Sequence, residues 1–322
     1  MLYVIIVNWN VRELLAACLR SLQAHPATTH AQAVIVVDNA SADGSVDMLR
    51  RDFPDAHVIA NATNRGFTGG NNDGLKYAQE LVLSSQVNLA AGQLAPENYF
   101  LLLNPDTEVT PGALDALLAC ADAQMDAGAV GPQLRYPDGS IQSSRRRFPS
   151  LKTALFESTW LQSFAPRKLL DDFYMRDTPN DQPCECDWLV GAAILARAGA
   201  IRQIGLFDEN FFMYSEELDL CKRLRGAGWR VAYCPSAVIV HHEGKSSEQA
   251  SARRMINFNT SKVKYFRKHH GAAQAGVLRF ALLGMFLWQM GLEAGKYALG
   301  SQRPLRAGRI RAYAGVLRSG LL

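Results

Sequence analysis

Apolar runs and helical stripes alternate along the first 125 residues. LYVIIVN (2–8) is apolar without a polar break, as in a strand buried on both faces. VRELLAACLRSLQAH (11–25) puts Leu14, Leu15, Cys18, Leu19 and Leu22 on one helical face. AVIVV (33–37) predicts a second buried strand ending at Asp38, DGSVDMLRRDF a short helix opened by Asp43 or Ser45, and HVIA (57–60) a third strand. TGGNNDGLKYAQELVL predicts a helix entered from a glycine-rich turn. YFLLL (99–103) predicts a fourth strand, and PGALDALLACADA a helix with proline in its first turn. This rhythm is that of an α/β domain with a mostly parallel sheet flanked by helices.

The pattern changes after residue 130. GAVGPQLRYPDGSIQSS predicts a hairpin turned at Pro137-Asp138-Gly139, and residues 161–184 have no clean period. CDWLVGAAILARAGAIRQIG gives a strand then a helix; FDENFFMYSEELDLCKRLRGAGWRVAYCP gives a loop, a helix stopped at Gly226 or Gly228, and a strand; AVIVHHEGKS is one more strand. In parallel sheets ligands bind beyond the carboxyl ends of the strands. Three strands end in polar clusters there: Asn8-Trp9-Asn10, Asp38-Asn39 and Asn104-Pro105-Asp106. A single cluster of this kind reads as a turn or cap; three at equivalent ends favour a site.

The residue types within these clusters suit a nucleotide. Asp38 can accept from an N–H of a heterocyclic base. In NRGFTGGNNDG (64–74), Gly66, Gly69 and Gly70 let backbone approach a ligand, and the helix start that follows favours anions. Asp106 can bind a hard divalent cation shared with a diphosphate, or can simply close an Asx turn at Pro105. In YSEELDLCKRLRGAG, Ser215 is a plausible N-cap and Glu216, Glu217 and Asp219 sit where the helix dipole favours acids. Asp219 and Arg223 are spaced to pair on the surface, while one of the two glutamates can serve as general base. His241 and His242 end a strand and can complete a metal site.

Charge adds a second theme. The net charge of +4 conceals a split: from Lys245 onward there are 14 Lys/Arg against 2 Asp/Glu. GVLRFALLGMFLWQMGLEAGKYALG (276–300) is the most apolar stretch, and its uncharged run from Phe280 to Leu292 is shorter than a bilayer span. With Arg303, Arg306, Arg309, Arg311 and Arg318 beyond it, the segment reads as an interfacial helix meeting an anionic leaflet, against the alternative of a packed core helix. Arg145-Arg146-Arg147 can meet the phosphates of a lipid-linked acceptor, or form a solvated charge run. Nucleic acid is disfavoured as a partner, because the tail lacks interleaved aromatics. Of the six cysteines, Cys18, Cys120, Cys221 and Cys234 read as buried free thiols, and Cys184-Glu-Cys186 has no second pair with which to make a zinc site. With no signal peptide visible, the expected setting is cytoplasmic and reducing, peripheral at the inner face of the cytoplasmic membrane.

VIIVNWN, VVDNASADGS, NRGFTGGNNDG, LLLNPD, WLVGAAILARAGAIRQIGLFDENFFMYSEELDLCKRL and VHHEGKSS, in that order over residues 1–250, resemble the inverting glycosyltransferases of family 2 and most closely their rhamnosyltransferase-like branch. The resemblance implies the GT-A (Rossmann-like) fold over 1–245, with a nucleotide-binding half at about 1–130, an acceptor half at about 131–245, and a helical, basic extension at 246–322. It implies a nucleoside-diphosphate sugar donor, deoxythymidine-diphosphate rhamnose first, and a saccharide or lipid-linked acceptor in cell-surface polysaccharide synthesis. Asn8, Asn10, Asp38, Asn39, Asn64, Gly66, Phe67, Gly70, Asn71, Asn104 and Asp106 would bind the donor, with Asp38 at the base. Asn104 replaces the first acid of the family's Asp-x-Asp motif, which leaves fewer carboxylates for the metal. Asp106 and His241, the latter opening a His-x-x-Gly pattern, would hold Mg2+ or Mn2+. Glu217, with Glu216 as the alternative, would be the base, and Trp188, Gly191 and Asp208 would shape the acceptor side. A homodimer is left open. A sugar nucleotidyltransferase or a non-catalytic nucleotide-sugar-binding protein would use a similar sheet; no early glycine-rich triphosphate loop with paired basic residues favours the former.

Overall fold

Alternate residues of the first strand serve opposite cores. In β1 (Leu2–Asn8), Leu2, Val4 and Ile6 pack on one face of the sheet, and Tyr3, Ile5 and Val7 on the other. The computed structural model describes residues 1–86, 97–157, 159–242 and 251–322. Its elements run α1 (Arg12–Ala24), β2 (Gln32–Asp38), α2 (Ser45–Asp52), β3 (His57–Ala60), α3 (Gly66–Gln86), β4 (Tyr99–Leu103), β5 (Thr107–Val109), α4 (Ala113–Ala123) and β6 (Ala127–Arg135). There follow β7 (Ile141–Gln142), β8 (Arg145–Arg146), α5 (Leu151–Phe156), a 3-10 turn at Trp160–Phe164, α6 (Arg167–Tyr174), β9 (Cys184–Cys186), β10 (Trp188–Leu189) and β11 (Ala193–Arg197). The last elements are α7 (Ala198–Ile204), α8 (Glu216–Gly226), β12 (Arg230–His241), α9 (Ser251–Ala298) and α10 (Arg303–Ser319).

The main sheet has the order β3-β2-β1-β4-β11-β6-β12-β5, with β7 paired to β6 and β9 to β12. The strands from β3 to β4 are parallel. β11 runs antiparallel to both β4 and β6, and β12 is parallel to β6, so β12 points the same way as β1 and β4. The carboxyl ends of β1, β2, β4 and β12 and the amino end of β11 therefore share one rim. β10 and β8 form a separate two-stranded ribbon.

Helices cover both faces. Leu15, Cys18, Leu19 and Leu22 of α1, with Met48 and Leu49 of α2 and Leu114, Leu117 and Leu118 of α4, close one core. Leu75 and Ala78 of α3, Ala200 and Ile201 of α7, and Leu220, Cys221 and Leu224 of α8 close the other. The helix α3 starts at Gly66, so Gly69 and Gly70 lie inside its first turns, where a preceding turn was expected. A Cβ at Gly70 would come within 2.6 Å of Val7 Cγ1, and one at Gly74 would overlap Ile5, so these glycines let α3 lie directly on β1. Asp43 opens α2, its Oδ1 accepting from Ser45 N–H at 3.1 Å and Ser45 Oγ at 2.6 Å. The hairpin at Pro137–Gly139 forms as expected, with Leu134 opposite Gln142 and Gly139 at φ +85°.

Two cysteine assignments are corrected. Cys120 on α4 and Cys234 on β12 form a disulfide, with Cα atoms 6.3 Å apart across 114 residues of sequence. Packing α4 over β12 brings the pair together, and nothing local in the sequence encodes that. Cys18 and Cys221 remain free thiols, and burial pushes both up to about 12.

The chain divides into two compact units: Met1–Phe148 with Asp171–Glu209 and Glu217–Ser246, and Pro149–Leu170 with Asn210–Glu216 and Ser247–Leu322. The second unit thus draws on two internal segments besides the carboxyl-terminal helices, and the boundary expected at 245/246 lies outside the described residues. In that unit Lys262 of α9 donates to Glu157 Oε2 at 3.0 Å, just beyond α5, and Tyr265, Phe266, Leu278 and Leu282 are buried. The α9 helix is broken at Gly271, φ +87°. By length and composition alone, residues 252–298 are sufficient to cross a membrane.

Candidate active site

Beyond β1 and β2 the rim carries a connected polar network. Asn8 stands opposite Asp38 in register and donates to its Oδ1 at 2.8 Å; Ser41 N–H donates to Asp38 Oδ2 at 2.9 Å. Asn10 N–H donates to Ser41 Oγ at 2.9 Å, and Asn10 Oδ1 accepts from Ala42 N–H at 2.7 Å. Asn39 Nδ2 donates to Gly66 O at 2.8 Å and Asn39 Oδ1 accepts from Asn61 at 3.0 Å. Asn64 Oδ1 caps α3 through Gly66 N–H at 2.8 Å, and Asn71 Nδ2 donates to Phe67 O at 2.9 Å. These groups hold one another in place. Asn8 Oδ1 is the exception, buried without a partner among the described residues.

The rim beyond β4 and β12 is built differently. After Pro105 stops β4, the short β5 turns back and pairs with the end of β12, placing Thr107 opposite His241. His242 N–H donates to Asp106 O at 2.9 Å, and Asp106 Oδ1 lies 3.4 Å from His241 Nε2 with no hydrogen-bond donor of its own among the described residues. His241 Nδ1 is 2.9 Å from Gln142 Oε1. An amide oxygen only accepts, so Nδ1 carries the proton and Nε2 presents a lone pair. Two acceptors, Asp106 Oδ1 and His241 Nε2, then face each other in a buried place, an arrangement a cation would satisfy. Asn104 Oδ1 is also buried without a partner among the described residues. A carboxylate, an imidazole and an amide oxygen suit a divalent cation whose remaining ligands are phosphate oxygens. Gly244 of the His-x-x-Gly pattern lies outside the described residues.

Glu217 comes to the same rim from α8. Asn104 N–H donates to Ala192 O at 2.9 Å, which puts the chain entering β11 beside Asn104, and a Cβ on Gly191 would lie 3.6 Å from Glu217 Cβ and Cγ. Glu217 Oε2 is buried without a hydrogen-bond partner among the described residues. Desolvation pushes the Glu217 carboxyl up to about 6, opposed by its own backbone N–H and the charge of Arg146. Tyr214 and Ser215, just before α8, both have positive φ, +70° and +63°. Glu216 is buried at the helix start. The structure thus brings Asn8, Asp38, Asn104, Asp106, Gly191, Glu217 and His241 to one rim. Asp208 sits in a loop tied to α3 by Asn72, which donates to Phe207 O and accepts from Phe207 N–H, both at 3.0 Å.

Three surface assignments change. The Asp219–Arg223 pair forms at 2.8 Å, but Asp219 is fully buried and Arg223 also holds the carbonyls of Ile204 and Leu206. Arg145 is buried, stacked on Tyr233 at 4.4 Å and bonded to Thr178 O, Pro179 O and Asn180 Oδ1, so it pins residues 178–180 and is closed to phosphate. In the second unit Arg306 is bonded to Glu293 at 2.8 Å, with Arg309 at 3.4 Å, which removes part of the basic tail from the free charge. Gln142 was missed because a polar residue in a two-residue strand carries no sequence signal of its role.

Among solved structures the chain superposes on the mannosyltransferase PcManGT from Pyrobaculum calidifontis, in complex with GDP-Man and Mn2+, with a TM-score of 0.56 at 17% identity, covering 99% of this chain and 84% of that one. The shared architecture, a mixed sheet flanked by helices, is the GT-A fold of glycosyltransferases. The family Glycosyl transferase family 2 matches residues 3–184. The chain is 32% identical over 260 residues to an N-acetylglucosaminyl-diphospho-decaprenol L-rhamnosyltransferase of Mycobacterium tuberculosis, covering 80% of this chain and 82% of the relative. It is 27% identical over 178 residues to the rhamnosyltransferase WbbL of Escherichia coli K12, covering 55% of this chain and 61% of WbbL. The chain belongs to glycosyl transferase family 2, in its rhamnosyltransferase-like branch.

Proposed function

We propose that the protein transfers rhamnose, with inversion, from deoxythymidine-diphosphate rhamnose to a sugar hydroxyl on a lipid-diphosphate-linked acceptor. The observation that carries this reading is Glu217: a carboxylate raised to about 6, with Oε2 unpartnered among the described residues, on the rim that also holds Asp106 and His241. A base of this kind is largely ionised at neutral pH yet keeps appreciable proton affinity. Glu217 takes the proton of the acceptor hydroxyl as that oxygen attacks the anomeric carbon from the face opposite the leaving diphosphate. No protein nucleophile is needed, as in the inverting logic of glycosidases. Asp38 keeps lone pairs beyond those used by Asn8 and Ser41 and accepts from the base N–H. Asp106 and His241 would hold Mg2+ or Mn2+, which when bound supplies counter-charge to the departing diphosphate. The rhamnosyl donor and the lipid-diphosphate acceptor rest on the relatives' names, and divalent metal use on the fold shared with a Mn2+-containing neighbour.

The second unit is read as a peripheral membrane contact at the cytoplasmic face. Val277, Phe280, Leu287, Trp288 and Leu292 recur at helical spacing on α9 and are 45–69% exposed, an apolar stripe suited to an interface. A thermal-shift panel of deoxythymidine-, uridine- and guanosine-diphosphate sugars with and without Mn2+ tests the donor, followed by transfer to N-acetylglucosaminyl-diphospho-polyprenol in vesicles. Metal-dependent protection by deoxythymidine-diphosphate rhamnose and rhamnosylated lipid are expected. Protection by none of the sugars, or transfer of another sugar in its place, would overturn the reading.

A further inference from the structure

Arg146 is a cation set in an aromatic frame beside the base. β8 and β10 pair Arg146 directly with Trp188, and the guanidinium lies 4.8 Å from the Tyr174 ring centroid, 5.4 Å from Trp188 and 5.9 Å from Phe173. Stacking of this sort fixes the guanidinium plane and leaves its N–H edge to act. Its hydrogen bond within the described residues is one donation to Ser143 O at 3.3 Å, and no carboxylate among them pairs with it. Its neighbours differ. Arg147 pairs with Asp187 at 3.5 Å and Arg176 with Asp171 at 2.8 Å, while Arg145 is buried. Arg146 is half-buried, and its charge is felt by Glu217. From Trp188 the chain runs two residues past β10 to Gly191, against the Glu217 side chain. Lys222, in the second turn of α8, adds a further cation at 4.2 Å over Phe148.

We infer that Arg146, oriented by Phe173, Tyr174 and Trp188, binds the diphosphate that joins the acceptor sugar to its lipid, so that the sugar hydroxyl falls at Glu217. This rests on the proposed acceptor class. The guanidinium fork matches two phosphate oxygens, which a lysine cannot reproduce. The donor's own diphosphate is a separate matter, because its proposed seat is at Asp106 and His241.

The test is binding of geranyl diphosphate to the full-length chain in metal-free buffer, by calorimetry. Wild type is expected to bind; Arg146→Gln should weaken binding about 10- to 100-fold, Arg146→Lys less, and His241→Ala not at all, with circular dichroism confirming the fold. Wild-type affinity in Arg146→Gln, or equal loss in His241→Ala, would overturn the assignment. A second arm compares acceptors during transfer. Arg146→Gln should raise KM for the diphosphate-linked sugar about tenfold or more over any change for the same sugar as a neutral octyl glycoside; equal changes in both would also overturn it. If no rhamnose transfer occurs but metal-free diphosphate binding still depends on Arg146, the anion site stands and the donor and acceptor reading falls.

Discussion

The two stretches of the rim handle their polar groups in opposite ways. Beyond β1 and β2, the side chains of Asn8, Asn10, Asp38, Asn39 and Ser41 bond to one another or to nearby backbone. Beyond β4 and β12, Asn104 Oδ1, Asp106 Oδ1 and Glu217 Oε2 are buried without hydrogen-bond partners among the described residues. Buried polar atoms of this kind cost about 1–3 kcal/mol each unless a ligand completes them. The first stretch is therefore largely a frame that the fold itself satisfies, Asn8 Oδ1 excepted, and the second a set of groups that no described residue completes. Removing a group from the frame should cost stability. Removing one from the unfinished stretch should cost chemistry and leave the fold intact.

The sharpest contrast is Glu217→Gln. Transfer should fall about 10³-fold while donor affinity stays near wild type. The fold should not suffer. Glu217's folded-state pKa lies above its ordinary 4.5, so the stability contributed by its protonated form is full below about 4.5 and is lost as pH rises through 6. The glutamine variant escapes that loss, so its Tm at pH 8 should equal or exceed that of wild type; a clear drop would place Glu217 in the frame. Asp38→Ala should cost stability as well as donor binding, lowering unfolding free energy in urea by about 2–3 kcal/mol, because Asn8 Nδ2 and Ser41 N–H lose their acceptor. An unchanged urea midpoint would dissolve the distinction between the two stretches. A smaller effect is expected at Gln142→Ala. Freed from Gln142, His241 loses its fixed tautomer, and Mn2+ affinity measured by electron paramagnetic resonance should drop about tenfold.

The frame was largely legible in the sequence. Uninterrupted apolar runs give buried strands, each stopped by Asx residues, and three such endings at equivalent positions mark a rim. Asp106, Glu217 and His241 were candidates from residue type and position, with their roles drawn from the family resemblance. What stayed hidden depends on contacts between distant segments. Gly70 reads as part of a turn in sequence, yet it and Gly74 are what let α3 lie on Val7 and Ile5. Cys120 and Cys234 meet because α4 crosses β12, and Arg145 differs from Arg146 because strand alternation sends neighbouring side chains to opposite faces. The internal segments 149–170 and 210–216 join the second unit without any shift in composition to announce it.

The pH dependence of kcat/KM for transfer, measured from pH 4.5 to 8.5 in wild type and Glu217→Gln, bears most directly on the claim that the desolvated carboxylate of Glu217 drives the reaction. Wild type should show an acidic limb of unit slope with its midpoint near 6, set by desolvation of Glu217, and the residual rate of the glutamine variant should be flat across the same range. A limb at the same pH in Glu217→Gln, or a wild-type rate that does not fall below pH 6, would contradict it.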